Sequence, residues 1–353
     1  MKIPQKIITG RGKALKKTAK RRTAMPEIRK DPVLNRWIIL ASERQQRPND
    51  FIAASKKINA NVCPFCPGNE KMTPPELFSI PGANGSWKIR IVPNKYPALE
   101  GDLPLNPEIN GSCERMNGSG RHEVLIETSD HNGTLEKLPP GHLSEIIMAY
   151  AARAKEMLKL PFIKYVMIFK NQGKNAGASL AHPHSQLIGI PLPPQRILEE
   201  IKGCKAYKEK HGECLFCLLA KEEAALKKRT IAENARFIAI MPYASRFAFE
   251  TRILPKWHAP KFESINDDEA MDLADIMQKS LSKLSHSIPD LCYNMMIHSS
   301  PKEDESGIYH WHMEIMPKLT QVAGFEWGTG FYINTLSPER AAEILNAGEI
   351  FRL

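Results

Sequence analysis

No apolar run in the 353-residue chain approaches the roughly 18 residues that a membrane-spanning helix requires. The first residues are basic rather than apolar, so they do not read as a secretory signal. No GxxxxGK[ST] phosphate loop is present, which removes the commonest kinase and ATPase signature. The seven cysteines are odd in number, and four fall into two Cys-x-x-Cys pairs, a pattern that favours metal binding over a disulfide framework. Outside the N-terminal tail there is no basic, aromatic-rich stripe of the kind that binds nucleic acid strands. These absences leave a soluble, cytoplasmic globular protein as the expectation, with no membrane partner. Its length allows one large or two medium domains with a sizeable core.

The formal net charge of +10 is unevenly spread. Residues 1–30 hold eleven Lys and Arg against the single acid Glu27. Such a run suits a nucleic-acid-binding arm, a solvated disordered extension, or a stretch ahead of a true start at Met25. The solvated extension, residues 1–26, is the expected reading, which leaves nucleic acid outside the expected partners. The remaining positive excess suits a site for phosphorylated anions.

The chain carries one set of chemically active residues twice. The first copy reads Cys63-Pro-Phe-Cys66, then His131, then His182-Pro-His184. The second reads Cys214-Leu-Phe-Cys217, then His258, then His310-Trp-His312. Lone histidine and HxH pair are 51 residues apart in one copy and 52 in the other. The strand before each pair also matches, Tyr165–Lys170 against Tyr293–His298 at an offset of 128 residues. This is an internal duplication, expected to divide the chain at 27–198 and 199–353. Only the first copy continues as His184-Ser-Gln186.

Alternation and turn signals predict strands at 36–40, 88–92, 122–127, 165–169 and 186–190, with a tight knuckle at 63–68 and a loop over 103–120. Helical periodicity covers 143–158. In the second copy, strands are expected at 237–241, 249–254 and 293–297 and along His310-Trp-His312. A helix should start at Asn266, where Glu269 completes a capping box, and a short one should open at Ser337-Pro338. Hairpins with one main helix per copy predict an antiparallel α+β architecture rather than a doubly wound sheet.

Zinc is usually held by four nitrogen or sulfur ligands, and a Cys-x-x-Cys knuckle often supplies two. Cys63, Cys66, His131 and His182 form one candidate set; Cys214, Cys217, His258 and His310 form another. Four protein ligands leave no open position, so both would be structural. In an extended HxH, alternate side chains share a face. His182 can bind the metal while His184 sits beside it, facing a pocket. Neutral imidazole is a good nucleophile toward phosphorus. Gln186, two residues on, could donate to a phosphoryl oxygen, and Gly173, Gly177 and Ser179 lie on a turn that backbone N–H groups could offer to phosphate. The competing reading makes His182 and His184 both ligands or core residues; Gln186, the glycines and the nearby knuckle weigh against it.

His-Pro-His-Ser-Gln after Asn171-Gln-Gly, with Cys-Pro-Phe-Cys upstream, resembles the galactose-1-phosphate uridylyltransferase family of the histidine-triad superfamily, from about residue 30 onward. The resemblance implies a duplicated histidine-triad fold and ping-pong nucleotidyl transfer through a covalent uridylyl-histidine on His184, stabilised by Gln186. It carries over the zinc ligands Cys63, Cys66, His131 and His182. It also implies substrate contacts at Arg44, Arg47, Asn94, Asn171 and Ser179, and hexose contacts at Phe325 and Glu326 in Gly324–Gly330. It suggests a homodimer. Longer bacterial members build a second metal site from one Glu and three His, for which Glu200, His298, His310 and His312 are candidates here. The repeated knuckle favours Cys214, Cys217, His258 and His310.

The expected function is transfer of UMP from UDP-glucose to galactose 1-phosphate, with a nucleotide sugar and a sugar 1-phosphate as partners. An ADP-glucose phosphorylase or adenylyltransferase with the same histidine chemistry is the alternative, and a zinc-knuckle nucleic-acid-binding protein the remote one. His312 is followed by Glu314 instead of Gln, so the second copy is expected to be catalytically silent. His122 receives no role.

Overall fold

The structure, a computed structural model, describes residues 27–34, 37–40, 63–82, 85–304 and 306–352. The basic tail and the Arg44–Arg47 loop lie outside these residues. Strands β1 (Glu27–Lys30), β2 (Trp37–Leu40), β3 (Phe78–Pro81), β4 (Trp87–Pro93), β5 (Glu108–Asn110), β6 (Cys113–Arg115) and β7 (Arg121–Ile126) precede helix α1 (Pro140–Leu158). Then come β8 (Tyr165–Gln172), β9 (His184–Ile190), α2 (Gln195–His211) and α3 (Leu215–Leu226). Next are β10 (Thr230–Glu233), β11 (Phe237–Ile240), β12 (Thr251–Pro255) and α4 (Asp267–Ser287). The chain ends with β13 (Tyr293–His298), β14 (His312–Pro317), α5 (Gly324–Thr329), β15 (Tyr332–Asn334) and α6 (Pro338–Ala347).

Ten strands form one antiparallel sheet in the order β10-β11-β12-β14-β13-β8-β9-β7-β4-β3. The architecture is α+β. The duplication is visible in that order: five strands from each half run outward from the central β8–β13 pair. There Ile168 faces Ile297 and Phe169 faces Met296, two pairs that exchange under the 128-residue offset. The boundary expected between 198 and 199 falls inside α2.

One sheet face is covered by α1 and α4, whose Leu143, Ile146, Tyr150, Leu273, Met277 and Leu281 join strand residues in a continuous buried core. Side chains alternate across each strand, so the two faces can be read from the neighbours. On β9, Leu187 joins that core and Ser185 bonds Tyr150 of α1, which places His184 and Gln186 on the opposite face. In the second half this opposite face is covered: Leu215 and Phe216 of α3 pack with Ile238, Ile240 and Leu254. Helix α2 meets the chain closely at Val33, where a Cβ on Gly203 would fall 1.8 Å from the Val33 carbonyl oxygen. In the first half, Val124 and Ile126 meet Phe65 of the knuckle instead, and among the described residues the face stays open.

The two main helices sit where periodicity places them, but α2, α3 and α5 were not expected. Helix α2 buries only Ile197, Glu200, Gly203 and Cys204, too narrow a stripe to stand out among its charges. The expected loop over 103–120 contains the β5–β6 hairpin, exposed throughout and therefore without apolar alternation. Among the described residues no helix is long and apolar enough to cross a membrane.

The Asn266 capping box is present: its side chain accepts from the Glu269 N–H at 2.9 Å, and Glu269 accepts from the Asn266 N–H at 3.0 Å. Replacing Asn266 with Ala should cost about 1 kcal/mol of unfolding free energy in urea titration, and replacing it with Gly only a few tenths. An Ala variant as stable as wild type would mean that the side-chain cap contributes nothing.

Candidate active site and metal centres

The knuckle is held by its own backbone. The Cys66 N–H donates to the Cys63 carbonyl at 3.2 Å, and Asn69 Nδ2 caps the same oxygen at 2.8 Å. The run beyond β7 brings in His131, and the approach to β9 brings in His182. The donor atoms of Cys63, Cys66, His131 and His182 all lie within 4.8 Å of one another. His131 Nδ1 and His182 Nδ1 stand 3.3 and 3.6 Å from Cys66 Sγ. The other nitrogen of His182 lies 2.8 Å from the Thr128 carbonyl, so Nε2 carries the proton and the Nδ1 lone pair faces the thiols. That outer hydrogen bond is the usual device for orienting a metal-bound imidazole.

The second group repeats the device on a different base. Cys214 is the N-cap of α3 and Cys217 lies in its first turn. With His258 and His310 they form a second cluster within the same 4.8 Å limit. His310 Nε2 lies 3.1 Å from the Pro255 carbonyl and His258 Nε2 2.6 Å from the Gly307 carbonyl, which leaves both Nδ1 atoms facing sulfur. Both groups are Cys2His2 sets that suit a closed tetrahedral metal.

His184 sits two residues beyond His182, at the wall of a cavity of about 400 Å³ that also meets Phe65, Met72, Asn94, Tyr96, Ser179 and Gln186. This size falls within the range of small-molecule pockets. The His184 Nδ1 lies 2.8 Å from the His182 carbonyl, so Nδ1 is the protonated nitrogen and Nε2 keeps its lone pair. Burial pulls the His184 pKa below the ordinary imidazole value, and nearby Lys170 works in the same direction. The side chain is therefore a neutral imidazole with one nitrogen available. Phe65 meets its ring edge-on at 5.4 Å.

Behind His184 lies a buried polar network. Lys170 Nζ donates to Glu127 Oε2 at 2.6 Å and to the His184 carbonyl at 3.3 Å. Ser185 donates to the other Glu127 oxygen, and Tyr150 bonds Ser185 at 2.6 Å. A lysine and a carboxylate with almost no solvent exposure are tolerable only as a pair. Their pairing ties α1, β7, β8 and β9 together at the position of His184.

The other expected contacts divide. Asn94 and Ser179 line the cavity. Asn171 does not; its Oδ1 accepts from Asn294 of the second half at 2.7 Å. Gly173 has φ +82, and a Cβ there would fall 2.4 Å from Cys292 Sγ, so close packing between the halves requires glycine at this position. Phe325 is half exposed on α5, and Glu326 caps that helix by accepting from the Ala323 N–H. Neither residue lines the cavity. Arg44 and Arg47 lie outside the described residues. Sequence reasoning missed His122, which bonds Gln186 at 2.8 Å, and Phe65.

The second half keeps the scaffold and closes the site. His312 Nδ1 lies 3.2 Å from the His310 carbonyl, as in the first half, but the ring is fully buried and its Nε2 has no hydrogen-bond partner among the described residues. Burial pushes its pKa down to about 3. Glu314, at the position of Gln186, is held by Arg196, Arg246 and Arg252 at 3.1, 2.8 and 2.8 Å. Burial alone would raise the Glu314 carboxyl, but these arginines hold it well below the usual carboxylate range. Of the alternative set, Glu200, His298 and His312 converge with Glu314, while His310 faces the thiols. Glu200 accepts from Tyr309 at 2.6 Å and meets His298 Nδ1 at 3.1 Å.

Comparison with known proteins places these features among relatives. The family model described as galactose-1-phosphate uridyl transferase, N-terminal domain, matches residues 16–192. A domain of unknown function matches residues 130–348. The chain is 38% identical over 330 residues to an ADP-glucose phosphorylase from Arabidopsis thaliana, covering 91% of this chain and 92% of that protein. It is 30% identical over 336 residues to a galactose-1-phosphate uridylyltransferase from Thermotoga maritima, covering 92% and 99%. The solved structure of an Arabidopsis thaliana ADP-glucose phosphorylase with bound ADP-glucose superposes with a TM-score of 0.80 at 36% identity, covering 92% of this chain and 98% of that one. A uridylyltransferase structure superposes at 0.71 and 28%, again covering 92% and 98%.

Each Cys2His2 group should hold one metal ion. Cys63→Ser and Cys214→Ser should each lower the metal content by one equivalent per chain in plasma emission analysis, and the double variant by both. An unchanged content in either single variant would remove that group as a metal site.

Proposed function

The chain belongs to the galactose-1-phosphate uridyl transferase family, and on that premise we propose that it is a nucleotidyltransferase in which His184 carries a nucleoside monophosphate between two phosphate-bearing substrates. The observation that carries this reading is the neutral His184. Its Nδ1–H is committed to the His182 carbonyl, and its Nε2 is the nitrogen left at the cavity beside Gln186.

In the first half-reaction the Nε2 lone pair attacks the α-phosphorus of a nucleoside diphosphate sugar. The bond from that phosphorus to the bridging oxygen breaks, and sugar 1-phosphate leaves with the electron pair. In the second, an oxygen of the acceptor attacks the same phosphorus, the phosphorus–nitrogen bond breaks and neutral His184 returns. Gln186 donates to the phosphoryl oxygen as charge accumulates there. Asn94 and Ser179 contact the donor at the cavity wall. Arg44 and Arg47 are assigned to substrate binding, and Phe325 and Glu326 to the sugar. Asn171 and Gly173 hold the end of β8 against the second half.

Zinc in Cys63, Cys66, His131 and His182, and in Cys214, Cys217, His258 and His310, would supply closed tetrahedral anchors for the two HxH strands. The second half is silent because a fully buried His312 and an arginine-bound Glu314 leave no face for a phosphoryl group.

The favoured donor is ADP-glucose, with inorganic phosphate as acceptor. It is supported by the higher identity and the better superposition with the ADP-glucose phosphorylase. The second reading is UMP transfer from UDP-glucose to galactose 1-phosphate, favoured by the matching family model and the Thermotoga maritima relative. Intact mass after incubation with each donor separates them. An AMP adduct on wild type but not on His184→Ala is expected. A UMP adduct would keep the mechanism and change the donor. An adduct that survives in His184→Ala would overturn the assignment of the nucleophile.

A further inference from the structure

The side-chain amide of Gln186 helps a phosphoryl oxygen only if its nitrogen, and not its oxygen, faces the cavity. Two side chains on neighbouring strands decide this. Asn94 directly follows β4, His122 lies on β7 and Gln186 on β9, so the three form a row across adjacent strands. The Ala98 N–H points at His122 Nδ1 from 3.0 Å. A backbone N–H can only donate, so Nδ1 holds the lone pair and the ring proton sits on Nε2. That Nε2 lies 2.8 Å from Gln186 Oε1 and donates to it. Asn94 is fixed by the same logic. Its Oδ1 accepts from the Tyr96 N–H at 2.9 Å, which turns Nδ2 inward, 3.5 Å from the same Gln186 oxygen and 3.1 Å from His122 Nε2, so two N–H donors stand side by side and share the Gln186 oxygen as acceptor. A flipped Gln186 would set its NH2 group against both donors. Its Nε2 is left without a partner among the described residues.

We propose that His122 is a positioning residue for nucleotidyl transfer: its Nε2–H, fixed by the Ala98 N–H on the opposite ring nitrogen, holds the Gln186 carboxamide with its N–H groups toward the phosphoryl oxygen. This rests on the nucleotidyl-transfer reading above. Burial lowers the His122 pKa and keeps the ring neutral. A second proton, on Nδ1, would also collide with the Ala98 N–H. The silent half shows the contrast. The residue 128 positions after His122 is Glu250, which pairs with Arg246, and the residue 128 positions after Val124 is Arg252, which pairs with Glu314. There the sheet holds a charged carboxylate with cations, whereas here it holds a neutral amide with a neutral donor.

The test is the single-turnover rate of nucleotidyl-enzyme formation, followed by intact mass with the donor that modifies wild type. His122→Phe should slow this step on the order of 10²-fold, with the donor concentration for half-maximal rate unchanged. His122→Gln, which keeps an N–H donor, should recover part of the rate. In a Gln186→Ala background, His122→Phe should cause no further loss, because the two residues act as one unit. Wild-type rates in His122→Phe, or equal slowing with and without Gln186, would overturn the role. Nitrogen-15 NMR of wild-type His122 gives a readout that needs no variant to fold: a bare Nδ1 is expected, and a protonated Nδ1 overturns the proposal. Absence of any adduct on wild type would defeat the nucleotidyl reading itself and this role with it.

Discussion

A single hydrogen bond, 2.8 Å from His184 Nδ1 to the His182 carbonyl, determines which imidazole nitrogen keeps its lone pair. It requires the segment from His182 into the start of β9 to be held still. Each end is held by a different force. His182 is turned by the Thr128 carbonyl so that its lone pair faces Cys66 and the knuckle. On the far side, the Lys170–Glu127 pair grips the His184 carbonyl and, through Ser185, the next residue on the strand. Both anchors are buried, where an unpaired charge or an unmet donor costs several kcal/mol. A shift of the strand would break several of these contacts at once, so the ring orientation is enforced by the whole neighbourhood.

The duplicated half tests how much of this geometry suffices for chemistry. It repeats the knuckle, the HxH strand and the imidazole-to-carbonyl bond. What differs is the electrostatics of the outer face. A carboxylate at 314 would repel a phosphoryl group, and once three arginines neutralise it the site is filled by the protein's own ion pairs. Helices α2 and α3 then cover that face. One scaffold thus serves as an open pocket on one side of the central β8–β13 pair and as a packed, charged core on the other.

Much of this was legible in the sequence, for reasons that can be named. The Cys and His donors recur in the same order, and a metal set tolerates few other residue types, so eight ligand candidates stand out without a structure. The Asn266 cap and the α1 and α4 stripes follow local rules that tertiary contacts do not override. Helix α2 was not legible because its buried side includes Glu200 and Gly203, one held by Tyr309 and His298 and the other by contact with Val33, neither of which periodicity can reveal. His122 was missed because its importance lies in a cross-strand register and in the direction of the Ala98 N–H, which have no one-dimensional signature. Gly173 looked like a phosphate-approach glycine, and the structure gives it a packing reason as well.

The central claim is that the nucleotide is carried on the Nε2 nitrogen of His184. Nitrogen-15 NMR of imidazole-labelled protein, recorded before and after loading with the nucleotide donor, tests it most directly. Nδ1 of His184 should bear a proton in both states, while Nε2 should change from a bare ring nitrogen to a phosphorus-bonded one. A nucleotide on Nδ1, or on any other side chain, would contradict it.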